Sequence, residues 1–251
     1  MSNAKPLFVG NWKMNGFRAN LTEILNVEES IAKTPFHGDV VICPPATLAA
    51  LAVDALKKSV IQIGGQDCHA EEAGAFTGDI SAEKWKDLGA GYVIVGHSER
   101  RAYYQEDNKA VKAKSKAVLR AGLVPIICIG ESLEERKAGK TLEIISAQID
   151  GCIPDEAQSA PIAVGYEPVW AIGSGLTPTL EEISEAHKVI REALHKKIGD
   201  KADLTPIVYG GSLKPSNAKE ILAILGVDGG LVGGASLKAV DFLEIIRACD
   251  Q

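Results

Sequence analysis

Lys13, His97 and Glu167 each stand just beyond a short buried-looking run: Leu7-Phe8-Val9, Tyr92-Val93-Ile94-Val95 and Ile162-Ala163-Val164. A carboxylate can take a proton from carbon when it is held within hydrogen-bonding reach, and an ammonium and an imidazole nearby can stabilise the oxyanion that forms. The three residues therefore suit proton transfer next to a carbonyl. Glu167 is followed by Pro168, which restricts the backbone at the carboxylate. Val169-Trp170-Ala171-Ile172 then leads into Gly173 and Gly175, an apolar loop with glycines that suits a water-excluding lid. An ordinary surface loop would leave Trp170 and Ile172 poorly placed. His97 starts a short helical pattern, whose positive end disfavours an imidazolium and leaves a neutral ring able to donate a hydrogen bond. Position alone gives Lys13 equal odds of reaching the pocket or snorkelling to solvent.

Two glycine turns supply a second kind of chemistry. Tyr209-Gly210-Gly211-Ser212 and Val232-Gly233-Gly234-Ala235-Ser236 each follow an apolar run, and glycines let backbone N–H groups approach an anion closely. Other motifs fail on inspection. Gly229 to Gly234 contains no GxGxxG fingerprint, and Gly139-Lys140-Thr141 is no P-loop because Glu134 stands where its first glycine belongs. Ser98 is no nucleophile elbow, since Arg100 occupies the second glycine position. Asp67, Cys68 and His69 are adjacent, which is poor spacing for a shared metal. Cys128 lies inside an apolar run and reads as an inert buried thiol. No metal or cofactor site is expected.

These residues need a frame that brings them together. Eight apolar runs recur along the chain; the other five are Val40-Val41-Ile42, Val60-Ile61-Gln62-Ile63, Val124 to Ile129, Ile207-Val208-Tyr209 and Gly230-Leu231-Val232. Near-continuous apolar runs mark strands buried on both faces of a parallel sheet. Amphipathic segments alternate with them, such as Ile183 to Ile198 with Ile183, Ala186, Ile190 and Leu194 at helical spacing. Thr179 and Glu182 form a capping box at that helix's start, with Pro178 just before it. A closed barrel and a doubly wound sheet both satisfy this rhythm. The 251 residues and the count of eight favour a single-domain eight-fold (β/α)8 barrel over residues 1–251. Ser2-Asn3-Ala4 is compatible with a cloning remnant as well as with native sequence. In a barrel the strand C-termini form the active face, which gathers Asn11, Lys13, Gln66, His97, Gly130, Glu131, Glu167 and both glycine turns at one mouth.

The net charge of -6 and the absence of a basic run argue against a nucleic-acid partner. Lys112, Lys114 and Lys116 read as a solvated helix face. Five widely spaced cysteines without a CxxC indicate a reducing compartment. No long apolar run suggests a signal peptide or membrane span, so a cytoplasmic protein is expected.

Taken together, Gly10-Asn11-Trp12-Lys13-Met14-Asn15, Gly96-His97-Ser98-Glu99-Arg100-Arg101, Tyr166-Glu167-Pro168-Val169-Trp170-Ala171-Ile172-Gly173, Tyr209-Gly210-Gly211-Ser212 and Gly233-Gly234-Ala235-Ser236-Leu237 closely resemble the triosephosphate isomerase family along the whole chain. The resemblance implies interconversion of dihydroxyacetone phosphate and D-glyceraldehyde 3-phosphate in glycolysis and gluconeogenesis, without a cofactor. It casts Glu167 as the base, His97 as the neutral electrophile, and Lys13 and Asn11 as enediolate stabilisers. Glu99 becomes a supporting partner. Gly173, Ser212, Gly233 and Gly234 become phosphate-gripping positions, and Ile172 and Leu231 the apolar pair closing over Glu167. It also implies a homodimer through the loop Gln66 to Ser81, where Phe76 would dock into the partner; a self-packed loop is the competing reading. Departures from the common family pattern fall at Ser174-Gly175-Leu176-Thr177-Pro178, Leu213 and Asp79, and bear on lid kinetics and interface strength. Two rivals remain at this point: a Schiff-base aldolase acting through Lys13, and a non-catalytic phosphate-binding barrel.

Overall fold

A computed structural model describes residues 3–56, 59–171 and 177–250. Eight parallel strands close into a barrel in sequence order: β1 (Leu7–Asn11), β2 (Asp39–Cys43), β3 (Gln62–Gly65), β4 (Tyr92–Val95), β5 (Val124–Ile129), β6 (Ala163–Tyr166), β7 (Ile207–Tyr209) and β8 (Gly229–Val232). Closure is made where β1 pairs with β8, Val9 opposite Leu231 and Gly10 opposite Val232.

Strand periodicity of two divides the apolar residues between two cores. Leu7, Val9, Val41, Ile94, Ile126, Val208 and Leu231 point inward and fill the barrel. Phe8, Val40, Ile42, Val93, Ile127, Val164 and Ile207 point outward, under the helices. Both faces are buried, which is why the strands read as continuous apolar runs. The helix Leu180–Ile198 illustrates how the outer layer is specified. Ile183, Ala186, Ile190 and Leu194 form its buried stripe. At its start Thr179 Oγ1 accepts from the Glu182 amide at 3.2 Å, and Glu182 Oε2 accepts from the Thr179 amide at 2.8 Å. That reciprocal cap matches the sequence expectation.

Two readings need correction. The third strand runs Gln62–Gly65, not Val60 to Ile63, and Val60 is exposed ahead of it. Its last residues are glycines because the wall there is occupied: a Cβ on Gly65 would lie 2.6 Å from the Trp85 indole. Lys114 is not on a solvated face. Its side chain is 12% exposed and its ammonium bonds both oxygens of Asp67 and Oε1 of Glu106, at 2.7, 2.8 and 2.6 Å. No described helix is long and apolar enough to cross a membrane.

Candidate active site

Each functional side chain is delivered by the last residue of a strand or by the one or two that follow it. Asn11 ends β1, His97 lies two residues past β4, and Glu167 directly follows β6. Lys13 adopts a left-handed backbone with φ of 52°, a conformation costing a non-glycine residue about 1 kcal/mol. Two contacts hold it there. The Lys13 amide donates to Asn11 Oδ1 at 3.1 Å, and Gln66 Nε2 donates to the Lys13 carbonyl at 2.8 Å and to the Cys43 carbonyl at 2.8 Å. The strain aims the lysine across the mouth, where Nζ meets Glu99 Oε1 at 2.7 Å.

Glu167 is buried and both of its oxygens are engaged. His97 Nε2 lies 2.9 Å from Oε1, and the Ser98 amide donates to Oε2 at 2.9 Å. The Glu99 amide donates to His97 Nδ1 at 3.2 Å, so the ring's proton sits on Nε2 and points at Glu167. Burial disfavours a charged imidazole, but the Glu167 carboxylate outweighs it and moves His97 above the ordinary histidine value. The neutral ring expected from the helix end is therefore opposed by one contact, the carboxylate, and favoured by another, the amide on Nδ1. Burial likewise pushes the Glu167 carboxyl up, yet His97 and the Ser98 amide pull it further down, so its net direction is downward. This differs from the raised basicity that desolvation alone suggests. The carboxylate is parked on two donors, and it becomes a stronger base when it leaves them.

The backbone around Glu167 is close-packed. A Cβ on Gly130 would fall 1.6 Å from the Glu167 carbonyl oxygen, so only glycine lets β5 pass there. Glu131, next along, is buried and accepts from Trp170 Nε1 at 2.9 Å and Tyr166 Oη at 3.2 Å. Burial pushes its carboxyl up, against these donors. The Arg136 guanidinium lies 4.2 Å from the centre of the Trp170 ring. Glu131 and Arg136 thus anchor Trp170, in the first part of the expected lid. Glu131 had a positional signal, at the end of β5; its partners are 35 and 39 residues away and had none.

Asn11, Lys13, His97, Glu167, Ser212, Leu231, Gly233 and Gly234 line one cavity of about 710 Å3. Glu99 borders it through Lys13, and Pro168 is buried behind Glu167. Gly173 and Ile172 lie outside the described residues, as do Ser174, Gly175 and Leu176. Among the described residues, no three His, Cys, Asp or Glu side chains are grouped as a metal would require. Burial pushes the Cys128 thiol well up, which keeps it protonated and inert.

The triosephosphate isomerase family model matches residues 6–249. The chain belongs to the triosephosphate isomerase family. It is 54% identical over 245 residues to the triosephosphate isomerase of Afipia carboxidovorans, covering 98% of each chain. It is 52% identical to that of a Chelativorans species, over 97% of this chain and 96% of the relative. The crystal structure of triosephosphate isomerase from Bartonella henselae superposes with a TM-score of 0.91 at 44% identity, covering 98% of this chain and all of that one. Members of this family are isomerases that interconvert dihydroxyacetone phosphate and glyceraldehyde 3-phosphate in glycolysis. The closed eight-stranded barrel of this chain thus superposes on that structure over nearly its whole length.

Proposed function

We propose that this chain interconverts dihydroxyacetone phosphate and D-glyceraldehyde 3-phosphate by moving one proton through an enediolate, with Glu167 as the base. The observation that carries the reading is the single cavity shared by Glu167, His97, Lys13 and both glycine turns. Glu167 leaves its contact with the Ser98 amide and takes the proton from the carbon next to the carbonyl. His97, with its proton on Nε2, donates to the carbonyl oxygen as negative charge develops there. Lys13 adds a positive charge beside the same oxygen, with Asn11 bracing it. Ser212, Gly233 and Gly234 grip the phosphate, whose binding energy is then available to hold the reacting carbons in place. Gly173 and Ile172 complete the grip and the closure, with Leu231 as the apolar partner inside the barrel. Glu167 then returns the proton to the neighbouring carbon, while His97 recovers its proton from the neighbouring hydroxyl, whose oxygen becomes the new carbonyl.

The aldolase alternative is disfavoured by the ion pair of Lys13 with Glu99, which commits the ammonium to electrostatic work. The decisive measurement is isomerisation by the purified chain beside Glu167→Gln. The variant should lose roughly 10³-fold in kcat; a fully active variant would remove Glu167 from the mechanism.

The working form is a homodimer built on the Gln66 to Ser81 loop. Phe76 stacks on His69 of its own loop, with ring centres 3.9 Å apart, yet keeps 41% of its surface exposed. A groove of about 700 Å3 beside the loop is lined by Met14, Gln66, Glu99 and Tyr103 and shares Lys13 and His97 with the mouth. Exposed Met14, Phe17, Tyr103 and Tyr104 would be covered by a partner. Sedimentation should give twice the chain mass; a monomer at micromolar concentration would overturn this. The cytoplasm suits a glycolytic enzyme whose Cys43, Cys68, Cys128 and Cys152 are buried thiols.

A further inference from the structure

The mouth carries two charges that the proton-transfer set does not use. Lys214, in the loop after β7, is exposed and lines the cavity beside Ser212. Among the described residues, no carboxylate comes within ion-pair distance of its ammonium. Asp241, in the first turn of the helix Ala239–Arg247, lines the same cavity and also lacks a cation at that distance. The other charges there are committed: Lys13 to Glu99, and Glu167 to His97.

We propose that Lys214 and Asp241 set, with opposite signs, the field in which the mouth meets its phosphorylated substrate. Lys214 draws the anion toward the glycine turns and Asp241 opposes it. The inference rests on the isomerase reading and adds a rim function to it. The assigned phosphate positions, Ser212, Gly233 and Gly234, offer only neutral donors, and the chain as a whole carries a net charge of -6. An approaching dianion is therefore repelled at long range. An uncommitted cation at the rim reverses that repulsion locally, and a compact ammonium on a long flexible stem can follow the phosphate inward. Both triose phosphates carry the same phosphate, so the field speeds capture in both directions and leaves the equilibrium between them unchanged.

The test is kcat/KM against ionic strength for the wild type, Lys214→Gln, Lys214→Arg and Asp241→Asn. At about 10 mM salt Lys214→Gln should fall about threefold and Asp241→Asn should rise about twofold, and both should converge on wild type near 0.5 M, where screening is strong. Lys214→Arg should follow the wild type throughout. A Lys214→Gln variant with the wild-type salt slope overturns the proposal, and so does a loss that persists at high salt. A fall in Asp241→Asn overturns the opposing role of that residue. Titrating inorganic phosphate into the same proteins gives a readout independent of turnover: Lys214→Gln should weaken binding at low salt, and equal binding would overturn the inference. Failure of the wild type to isomerise either triose phosphate would instead sink the isomerase reading.

Discussion

The short helix Ser98–Tyr104 separates two charge clusters that are built on opposite plans. Toward the mouth the ion pairs are sparser: Lys13 meets Glu99 at 2.7 Å, and His97 meets Glu167 at 2.9 Å but Glu99 only at 3.6 Å. Toward the outer wall, every group has two partners. Lys114 bonds Asp67 and Glu106, and the Arg100 guanidinium also bonds both, at 3.0 and 2.6 Å. Burial pushes Glu106 up, but the two cations hold it below the usual carboxylate range. In Asp67 burial wins, and its carboxyl lies above that range. The redundant cluster is built for permanence, since no single thermal displacement leaves a charge alone. The sparser mouth cluster is built for exchange, since a ligand's oxygens can take the place of Glu99 on Lys13 and of Glu167 on His97. Rigidity and reactivity here are separated by about one turn of helix.

Four changes would break or sharpen that contrast. The largest effect is expected for Lys13→Met, which should lower kcat/KM roughly 10³-fold, about 4 kcal/mol, while leaving the unfolding midpoint nearly unmoved. A collapse in stability would show that the mouth cluster is structural after all. Lys114→Met should do the reverse. It leaves Asp67 and Glu106 sharing Arg100 as their one cation, and with that partner retained it should cost about 3 kcal/mol in urea unfolding. Unchanged stability would make the outer cluster decorative.

His187 supplies the limiting case, a buried ionisable ring with no counterion. Its Nδ1 donates to the Gly226 carbonyl at 2.9 Å, and it packs between Tyr166 and Tyr209. Burial pulls its pKa down to about 4. The folded value lies below the unfolded value of about 6.5, so protonation favours unfolding. The stability linked to the neutral ring is complete above pH 6.5 and is lost as pH falls toward 4, by roughly 2–3 kcal/mol. His187→Gln should lack that limb when denaturation is followed between pH 7 and 4.5; an identical pH profile would place the titration elsewhere. The smallest effect is expected for Thr179→Ala, about 1 kcal/mol, because only a cap on the helix Leu180–Ile198 is lost. Thermal unfolding reads it, and an unshifted midpoint would make that cap redundant.

The barrel was legible because burial on both faces writes itself into each strand as an unbroken apolar run. The frame slipped most at β3, where Gly64 and Gly65 replace apolar residues to make room for Cys43 and Trp85, and less at β6, which runs to Tyr166 instead of Val164. The mouth was legible wherever a reactive residue ends a strand, as at Asn11, His97 and Glu167. What stayed hidden depends on partners far away in sequence. Lys114 read as solvated because nothing near it reveals Asp67, 47 residues earlier. The parking of Glu167 on the Ser98 amide spans 69 residues, and the protonation direction of both Glu167 and His97 follows chiefly from the neighbouring contact between the two. Local pattern records burial; it does not record which distant group shares the burial.

Barrel closure has a consequence in time. Trp12, one residue before the mouth's lysine, donates its indole N–H to the Ser236 carbonyl at 3.0 Å, across 224 residues. Strand β1 itself is walled on one side by β8. During synthesis the first strand therefore waits until β2 to β7 have all been made before β8 exists beside it. A nascent chain stalled after β7 would carry Lys13, His97 and Glu167 and yet own no site. The site arrives in one step, as β8 emerges and shuts the ring.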